Sequence, residues 1–346
     1  MQPLLEPIDS PLAAWLSAQG LPAYRGAQIR KWLFEKRAAD WEAMTDLPKT
    51  LRGRLEEEFC IFSGRVVTHR RDEDGTEKLL LEWRDAERVE CVLLRDGVRR
   101  SICISTQVGC GMGCVFCASG LDGVTRNLTA GEIVEQMLRL AGLLPAEERI
   151  SHVVVMGMGE PLANLDNLLP ALREASAPDA LGISPRRITI STVGLPKAID
   201  RLTQEGLRYN LAVSLHASDN TQRGRLVRAG RNIPLADIMQ AADRYFESSG
   251  RRLTFEYVLL AGENDSADDA RRLAKLLAGR GVLLNVIPYN PVAGLPYRTP
   301  SRESVKRFGD ALESAGVNIQ VRQRKGAKID AACGQLRRAQ ATTPAG

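Results

Sequence analysis

Three closely spaced cysteines form the most reactive group of the sequence. Cys110, Cys114 and Cys117 fall within eight positions, and glycines at 109, 111 and 113 let the backbone wrap closely around a ligand. Three thiolates can bind three irons of a [4Fe–4S] cluster, which leaves the fourth iron open. The amino and carboxylate groups of S-adenosylmethionine (SAM) can chelate an open iron, and an electron from the cluster then cleaves SAM to a 5′-deoxyadenosyl radical. The spacing therefore predicts a cluster that generates radicals from SAM.

A zinc site is the alternative for the same cysteines. Structural zinc sites are closed by four ligands, and catalytic sites usually keep three plus a water. His152 is distant along the chain and Cys103 stands on the preceding predicted strand, so the loop itself holds no fourth ligand. The ligand count favours the cluster. Phe116, just before the third cysteine, is then expected near the SAM adenine.

Composition is that of an ordinary globular protein. The 346 residues are 44% hydrophobic and 26% charged, which allows a large core. Apolar stretches such as 138–144 are far shorter than the roughly 20 residues that cross a bilayer. The start MQPLLEPIDSP has no basic region before an apolar run, so we expect a cytoplasmic protein with no membrane partner. The seven cysteines are unevenly spread, which suits metal or redox chemistry better than a disulfide scaffold. The net charge of +5 permits an RNA partner without establishing one.

Short β-branched runs alternate with amphipathic segments from residue 101 onward, a pattern typical of repeated βα units. The predicted strands are 101–106, 152–158, 186–192, 209–216, 253–260 and 283–290. Thr129 and Glu132 have the spacing of a capping box at the start of one helix, and a second helix is predicted from Ser266 to Gly281. Six units are fewer than the eight of a closed TIM barrel. The sequence thus predicts an α/β fold with a partial, TIM-like (β/α)6 barrel.

The residues before the barrel have a different character. Three helix-like segments separated by Pro and Gly predict a small helical domain over 1–60, which is a plausible RNA-docking element. Alternating segments predict a short β-hairpin in a linking region, 61–95. The barrel core then occupies 96–336, and the small, polar tail 337–346 is expected to be disordered.

Polar residues and glycines follow the predicted strands at their C-terminal ends, where functional residues of α/β barrels lie. They are Gly159, Glu160, Ser191, Ser214, Leu215, His216 and Asn290. We expect one shared pocket, in which Glu160 receives the SAM ammonium and the others contact its ribose and amino-acid parts. Taken singly, Ser191, 214–216 and Asn290 are more often strand caps or hydrogen-bonded core groups, and His216 could be a buried structural histidine. The GMGEP segment alone is equally compatible with a βα turn that carries a solvated Glu.

Two further cysteines, Cys103 on the first strand and Cys333 near the C-terminus, have no role in this pattern. Cys333 lies in KIDAACGQL, whose small residues let the chain approach a pocket closely. A free cysteine is usually a small, inert hydrophobic residue, and that interpretation stands for both on the residues alone.

Five segments carry a family resemblance: CISTQVGCGMGCVFCASGLDGVTRNLTAGEIVEQ, VVVMGMGEPLANLDN, RRITISTVGLPKAID, LAVSLHA and GAKIDAACGQLR. They resemble the RlmN family of dual-specificity RNA adenine C2 methyltransferases, and the likeness runs from PAYRGAQIRKWLFEKR to Leu336. The related Cfr rRNA C8 methyltransferases share the cluster and DAACGQL motifs, whereas the N-terminal and GEP-to-SLH segments look more like RlmN.

The resemblance implies a radical SAM barrel and a role for each scattered cysteine. Cys333 would take a methyl group from one SAM, and a second SAM at the same cluster would yield the radical that activates this S-methyl group for addition to adenine. Glu90, which we would otherwise pass over as a surface residue, would remove the C2 proton. Cys103 would then release the RNA and form a disulfide with Cys333. SAM contacts would carry to Gly159, Glu160, Ser191, 214–216 and Asn290.

The implied partners are 23S rRNA, tRNA and an electron donor such as flavodoxin or ferredoxin, and we expect a monomer. Basic groups at Arg186/Arg187, Arg251/Arg252 and 322–325 could hold phosphates or merely solvate the surface.

Some positions depart from the pattern of the family. Val193 stands where the family commonly has Ser, and Cys60 and Cys91, which are not family positions, are expected to be buried strand cysteines. Two alternatives remain, C8 rather than C2 methylation and a metal-bearing RNA-binding protein without catalysis.

Overall fold

The structure is a computed structural model that describes residues 1–7 and 11–337, so the tail expected to be disordered lies, apart from its first residue, outside the described residues. The N-terminal part is helical, as its sequence predicts. Its helices are α1 (Pro11–Ala18), α2 (Tyr24–Arg30), which continues as a π-helical turn (Lys31–Glu35), and α3 (Lys49–Glu58). Two short strands, β1 (Gln2–Pro3) and β2 (Phe59–Cys60), pair in parallel and close this part.

Cys60 corrects one prediction. It lies on a strand but is only half-buried, because β1 and β2 form a small sheet at the surface. Its sulfur accepts a hydrogen bond from Arg84 Nη2 at 2.8 Å. Cys91, by contrast, is fully buried on a strand, as predicted.

Three antiparallel strands join the helical part to the barrel: β3 (Arg65–Arg71), β4 (Glu77–Glu82) and β5 (Arg88–Asp96). β3 and β4 form the predicted hairpin, and β5 adds a strand that the sequence did not suggest. β5 pairs antiparallel with β6 (Arg99–Cys103), so the hairpin is continuous with the main sheet.

The six predicted barrel strands are all present. After β6 come the short antiparallel pair β7 (Gln107–Gly109) and β8 (Val124–Asn127), then β9 (His152–Val155), β10 (Ile188–Thr192), β11 (Asn210–Ser214), β12 (Leu253–Leu259), β13 (Leu283–Pro288) and an additional parallel strand, β14 (Ile319–Val321). The helices between them are α4 (Ala130–Ala141), α5 (Leu165–Ser176), α6 (Pro196–Gln204), α7 (Asn220–Leu226), α8 (Leu235–Ser249), α9 (Ala267–Leu277) and α10 (Arg302–Ser314).

The main sheet is open. Its ten strands run in the order β14-β13-β12-β11-β10-β9-β6-β5-β4-β3, and no pairing joins β14 to β3 within the described ranges. From β6 to β14 all neighbours are parallel, which requires crossover connections through the helices. The predicted α/β partial barrel is therefore confirmed.

Local capping signals fix where the helices begin. Thr129 Oγ1 accepts a hydrogen bond from Glu132 N–H at 3.1 Å, and Glu132 Oε2 accepts one from Thr129 N–H at 2.9 Å. These two bonds confirm the predicted capping box of α4. The second predicted helix begins after Ser266 but ends at Leu277 rather than Gly281. Gly279 adopts φ +76°, a left-handed conformation that cannot continue a helix.

The two faces of the barrel strands differ in burial. Val153, Val155 and Ile190 are fully buried beneath the helices. Val154, Thr189 and Ser191 lie on the opposite side, which we call the inner face, and are half-buried. Some polar residues of the inner face are buried, among them Glu256 and Asn285. No helix in the described ranges is long and apolar enough to span a membrane.

Candidate active site

The three-cysteine loop is held by β7 and β8. The Cys110 N–H donates to Gly123 O at 2.8 Å, where the loop returns, and Cys117 N–H donates to Cys114 O at 3.1 Å to close a turn. Gly113 adopts φ +62° between them. All three cysteines are half-buried and free. The loop thus presents three thiols from one compact turn.

The three thiols are near enough to affect one another's pKa values. Burial raises the pKa of Cys110 to about 12, and it raises the pKa values of Cys114 and Cys117 too. The charge of Cys117 adds to the shift at both other thiols, because the sulfurs are close. When a metal binds to neutral thiols, it displaces their protons, and the resulting thiolates are the ligands. Within the described ranges no three His, Cys, Asp or Glu side chains are grouped to hold one metal ion. A [4Fe–4S] cluster fits better than zinc, because each thiolate binds a different iron.

Phe116 and His216 make an aromatic contact beside the loop. Their ring centroids are 4.9 Å apart at 79°, and both side chains are buried. Burial lowers the pKa of His216 to about 3, so the ring is neutral, and its Nδ1 accepts from Val258 N–H at 3.0 Å. His216 therefore has a structural bond whether or not it contacts SAM.

Gly157 and Gly159 let the end of β9 approach the end of β6. A Cβ on Gly157 would lie 2.6 Å from Ile104 O, and a Cβ on Gly159, at φ +100°, would lie 2.7 Å from Gln107 Cβ. The Glu160 N–H that follows donates to Gln107 Oε1 at 2.8 Å. This close approach places Glu160 beside the cysteine loop.

The Glu160 carboxylate links the ends of two strands. Oε1 accepts from Leu162 N–H at 3.0 Å and Oε2 from Val193 N–H at 2.9 Å. Burial raises the pKa of this carboxyl, while the N–H donors oppose the shift. Val193, the departure from the family pattern, takes part through its backbone, so a Ser side chain is not needed for this bond.

Ser191 and Ser214 lie on the inner face, whereas the Leu215 side chain is fully buried in the core. The carbonyl groups of Ser214, Leu215 and Val193 all accept hydrogen bonds from Arg223. Sequence reasoning missed Arg223, which is fully buried and has no carboxylate partner among the described residues. Burial raises the pKa of Cys114, and the positive charge of Arg223 opposes this rise, so the cation lies near a proposed cluster ligand.

Asn290 contacts the C-terminal segment. Its Nδ2 donates to Cys333 O at 3.0 Å, and its Oδ1 accepts from Arg324 Nε at 2.7 Å. Asn290, a predicted SAM contact, is thus hydrogen-bonded to Cys333, which the family resemblance assigns as the methyl carrier.

The segment 330–337 crosses the cysteine loop. Ala118 N–H donates to Gly334 O at 2.8 Å and Ser119 Oγ to Leu336 O at 2.6 Å. Cys333, directly before Gly334, is exposed and free. The pKa of its thiol is raised, first by desolvation and then by the negative charge of Glu256. Cys333 in turn adds to the burial that raises the pKa of Cys103 to about 12. Segment 330–337 is therefore bonded to the residues that follow Cys117, and Cys333 is near enough to Cys103 to affect its pKa.

Glu90 is buried and paired. Its Oε1 lies 2.7 Å from Lys78 Nζ, and its Oε2 accepts from Arg337 N–H at 2.9 Å. Lys78 also donates to Asp330 O at 3.0 Å, so the pair holds both ends of the segment that carries Cys333. Burial raises the pKa of Glu90, against the charge of Lys78. Lys78 was missed, because nothing in EKLLLEWR distinguishes it from a surface lysine.

The basic groups proposed to bind phosphate lie in different places. Arg187 and Arg252 precede β10 and β12, so they lie at the edge opposite the cysteine loop. The group at 322–325 follows β14 at the same edge as the site. Of the three groups, the third alone lies at this edge, and within it Arg324 is bonded to Asn290 and Lys325 is 3.0 Å from Asp96 Oδ1.

Comparison with known proteins agrees with this geometry. The model of the Radical SAM superfamily matches residues 104–276, and that of the ribosomal RNA large subunit methyltransferase N-terminal domain matches residues 4–61. A probable dual-specificity RNA methyltransferase RlmN from Rhodopirellula baltica is 63% identical over 94% of this chain and 88% of its own length. The chain belongs to the RlmN family. An RlmN from Symbiobacterium thermophilum, also probable, is 46% identical over the same shares of the two chains.

A solved structure has the same architecture. A radical SAM methyltransferase from Sphaerobacter thermophilus superposes with a TM-score of 0.91 at 42% identity, over 94% of this chain and 96% of that one. The fold is therefore the α/β radical SAM fold. Membership in the superfamily implies a [4Fe–4S] cluster and SAM as cofactors, in agreement with the cysteine loop, and membership in the RlmN family makes the chain an RNA methyltransferase of the radical SAM type.

Proposed function

We propose that this chain methylates C2 of an adenosine in 23S rRNA and in tRNA, with Cys333 as the methyl carrier. The observation that carries the proposal is the position of segment 330–337, which contains Cys333 and is hydrogen-bonded through Gly334 and Leu336 to the residues directly after the cysteine loop. The electrostatic effect of Cys333 on Cys103 supports it. Adenine C2 is neither acidic nor nucleophilic, so direct methyl transfer to it fails and radical chemistry is required. The relatives' names, which describe dual-specificity RNA methyltransferases, agree with this choice of substrate.

Cys110, Cys114 and Cys117 would hold the cluster, with Gly159, Glu160, Ser191, 214–216 and Asn290 around SAM. When bound, the cluster and two SAM molecules per turnover supply the methyl group and a 5′-deoxyadenosyl radical. The residues of the chain do the rest. Cys333 accepts the methyl group on its sulfur after losing its proton, and its S-methyl carbon later bonds to C2. Its exposure leaves room for the base.

Release of the RNA depends on Glu90 and Cys103. Burial raises the pKa of Glu90, which makes its carboxylate a stronger acceptor for the C2 proton. When the adduct loses its C2 proton it must also give up one electron, which would return to the cluster. Cys103, as a thiolate, then attacks the sulfur of Cys333, so that the carbon–sulfur bond breaks and a Cys103–Cys333 disulfide forms. The released CH2 carbon takes up a proton and stays on the base as its methyl group. Burial keeps the Cys103 thiol protonated in the resting protein, so the step requires removal of that proton.

The helical domain 1–60 is proposed to dock RNA. The match of residues 4–61 to an N-terminal domain of ribosomal RNA methyltransferases supports this role. The group at 322–325 would bind phosphates near the site, and flavodoxin or ferredoxin would supply electrons to a monomeric enzyme.

Mass spectrometry of reconstituted reactions tests the proposal. The wild-type chain should form 2-methyladenosine in both RNAs, and 8-methyladenosine instead would replace the C2 assignment with a C8 one. Cys103→Ala should accumulate a covalent RNA–protein adduct, whereas Cys333→Ala should form neither adduct nor product. Cys60→Ala, a cysteine far from the loop, is the matched control and should behave as wild type. Formation of methylated base by Cys333→Ala would refute the proposed carrier.

A further inference from the structure

Two buried polar side chains of the inner face have no role in the mechanism above. Glu256 on β12 and Asn285 on β13 are register partners, with 7% and 5% of their surface exposed. Parallel strands in register turn paired residues to the same face. Ser214 pairs with Glu256 on the other side, so one row across β11, β12 and β13 contains a predicted SAM contact and these two residues.

The pair presents hydrogen-bond acceptors that protein atoms leave free. Asn285 Nδ2 donates to Glu256 Oε1 at 2.7 Å, which fixes the amide so that Oδ1 faces away from the carboxylate. Asn285 Oδ1 is buried and has no hydrogen-bond partner among the described residues. A carboxylate offers about four acceptor positions, so the bond from Asn285 leaves others of Glu256 open to a ligand. A buried acceptor without a donor is costly, so this site suits a ligand that brings donors.

The position of the pair relates it to the reacting base. Asn290, just beyond the end of β13, donates a hydrogen bond to Cys333 O, so Cys333 lies at the end of the strand that carries Asn285. In agreement with this placement, the charge of Glu256 raises the pKa of the Cys333 thiol, after the larger effect of burial. A base whose C2 lies against the S-methyl group of Cys333 can then turn its amino edge toward the pair. Adenine carries an amino group two ring positions from C2, and an amino group has two hydrogens for two acceptors.

We propose that Glu256 and Asn285 form the subsite that selects adenine, in which a carboxylate oxygen and Asn285 Oδ1 accept the two hydrogens of its exocyclic amine. This inference rests on the proposed function. Gln320 on β14 is the next residue of this row, but it is exposed and is not one of the two proposed acceptors, so it provides a matched control.

Two hairpin RNAs that differ by one group test the subsite. One carries adenosine at the target position and the other purine ribonucleoside, which lacks only the amine. For each protein we compare kcat/KM for methylation of the two hairpins, and the ratio cancels any loss of folded enzyme. A site that hydrogen-bonds a substrate amine rejects the analogue without it, so the wild-type ratio should be at least about tenfold. Asn285→Ala and Glu256→Gln should each reduce the ratio by about fivefold or more, whereas Gln320→Ala should preserve it.

Equilibrium binding of the two hairpins and of SAM provides a second readout for weakly active variants. The variants should lose their preference for the adenosine hairpin while binding SAM as wild type does. Weakened SAM binding with an unchanged RNA ratio would assign the pair to the SAM adenine and overturn the proposal. An unchanged ratio with intact methylation overturns the subsite alone, whereas absence of 2-methyladenosine from the adenosine hairpin overturns the proposed function with it.

Discussion

The buried ion pair of Lys78 and Glu90 makes a strong prediction about stability. Their side chains are 7% and 6% exposed, and Lys78 Nζ bonds both Glu90 Oε1 and Asp330 O. Lys78→Met keeps most of the aliphatic stem but removes the ammonium. The carboxylate and the carbonyl then lose their donor in a buried setting. Removing one partner of a buried pair typically costs about 3–5 kcal/mol of unfolding free energy. The chain should still fold, because domains have about 5–15 kcal/mol of stability.

The pH dependence of the loss separates the ion pair from simple packing. Burial raises the pKa of Glu90 and Lys78 is the main group that lowers it, so the variant should have a still higher pKa. A carboxyl whose pKa is raised in the folded state contributes stability that is present below its unfolded pKa, near 4.3, and is lost as the pH rises through its folded pKa. The deficit of Lys78→Met should therefore be about 3 kcal/mol or more at pH 7.5 and less than half of that near pH 4.5.

Urea unfolding of the cluster-free protein at both pH values measures the deficit. Lys328→Met is the control, because Lys328 forms an exposed pair with Glu73 in the same region and should lose less than about 1 kcal/mol at either pH. Adding Glu90→Gln to Lys78→Met should restore most of the loss and remove its pH dependence. A deficit that is independent of pH, or no larger than that of Lys328→Met, refutes the reasoning.

Two further predictions concern residues close to the cysteine loop. Arg223→Met removes a buried cation near Cys114, so the reconstituted cluster should be harder to reduce; an EPR-monitored titration should show about tenfold less reduced cluster at a fixed potential, or about 59 mV. Arg225→Met, on the same helix but exposed, should shift the potential far less, and equal shifts would contradict the assignment. Gly159→Ala must strain φ +100° and displace Gln107, so we expect a loss of about 2–4 kcal/mol in urea unfolding. Gly182→Ala, also at positive φ but in open space, should lose only about 1 kcal/mol, and similar losses for the two would show that the contact with Gln107 is unimportant.

The sequence predicted the barrel well because hydrophobic periodicity and capping residues are local signals. All six predicted strands are present, and so is the capping box at Thr129. β14 was missed, since its three residues are partly or fully exposed and lack an apolar run. β5 was missed although its residues, RVECVLLRD, include an apolar run typical of a strand, because the linking region was assigned a single hairpin.

The site was predictable where spacing itself carries chemistry, as in the cysteine loop. Glu90, Cys103 and Cys333 were found through family resemblance, because their proximity arises from contacts between distant segments. Neither residue spacing nor family resemblance identified Lys78 and Arg223. A charged residue is ordinarily exposed, and its burial depends on partners that the sequence does not reveal: for Lys78 a carboxylate on the adjacent strand, for Arg223 three carbonyl groups at strand ends.

The bond between Ser119 and Leu336 spans 217 residues, and this separation bears on the order in which the protein folds. Contacts between nearby residues form early, whereas closing so long a loop must await most of the barrel. The cysteine loop should therefore be shaped by β7 and β8 before segment 330–337 covers it. By the same reasoning, the segment should detach before the barrel unfolds. Hydrogen exchange should then find the amides of Ala118 and Arg337 less protected than those of the central strands. Such local opening would let iron and sulfide reach the cysteine loop without global unfolding.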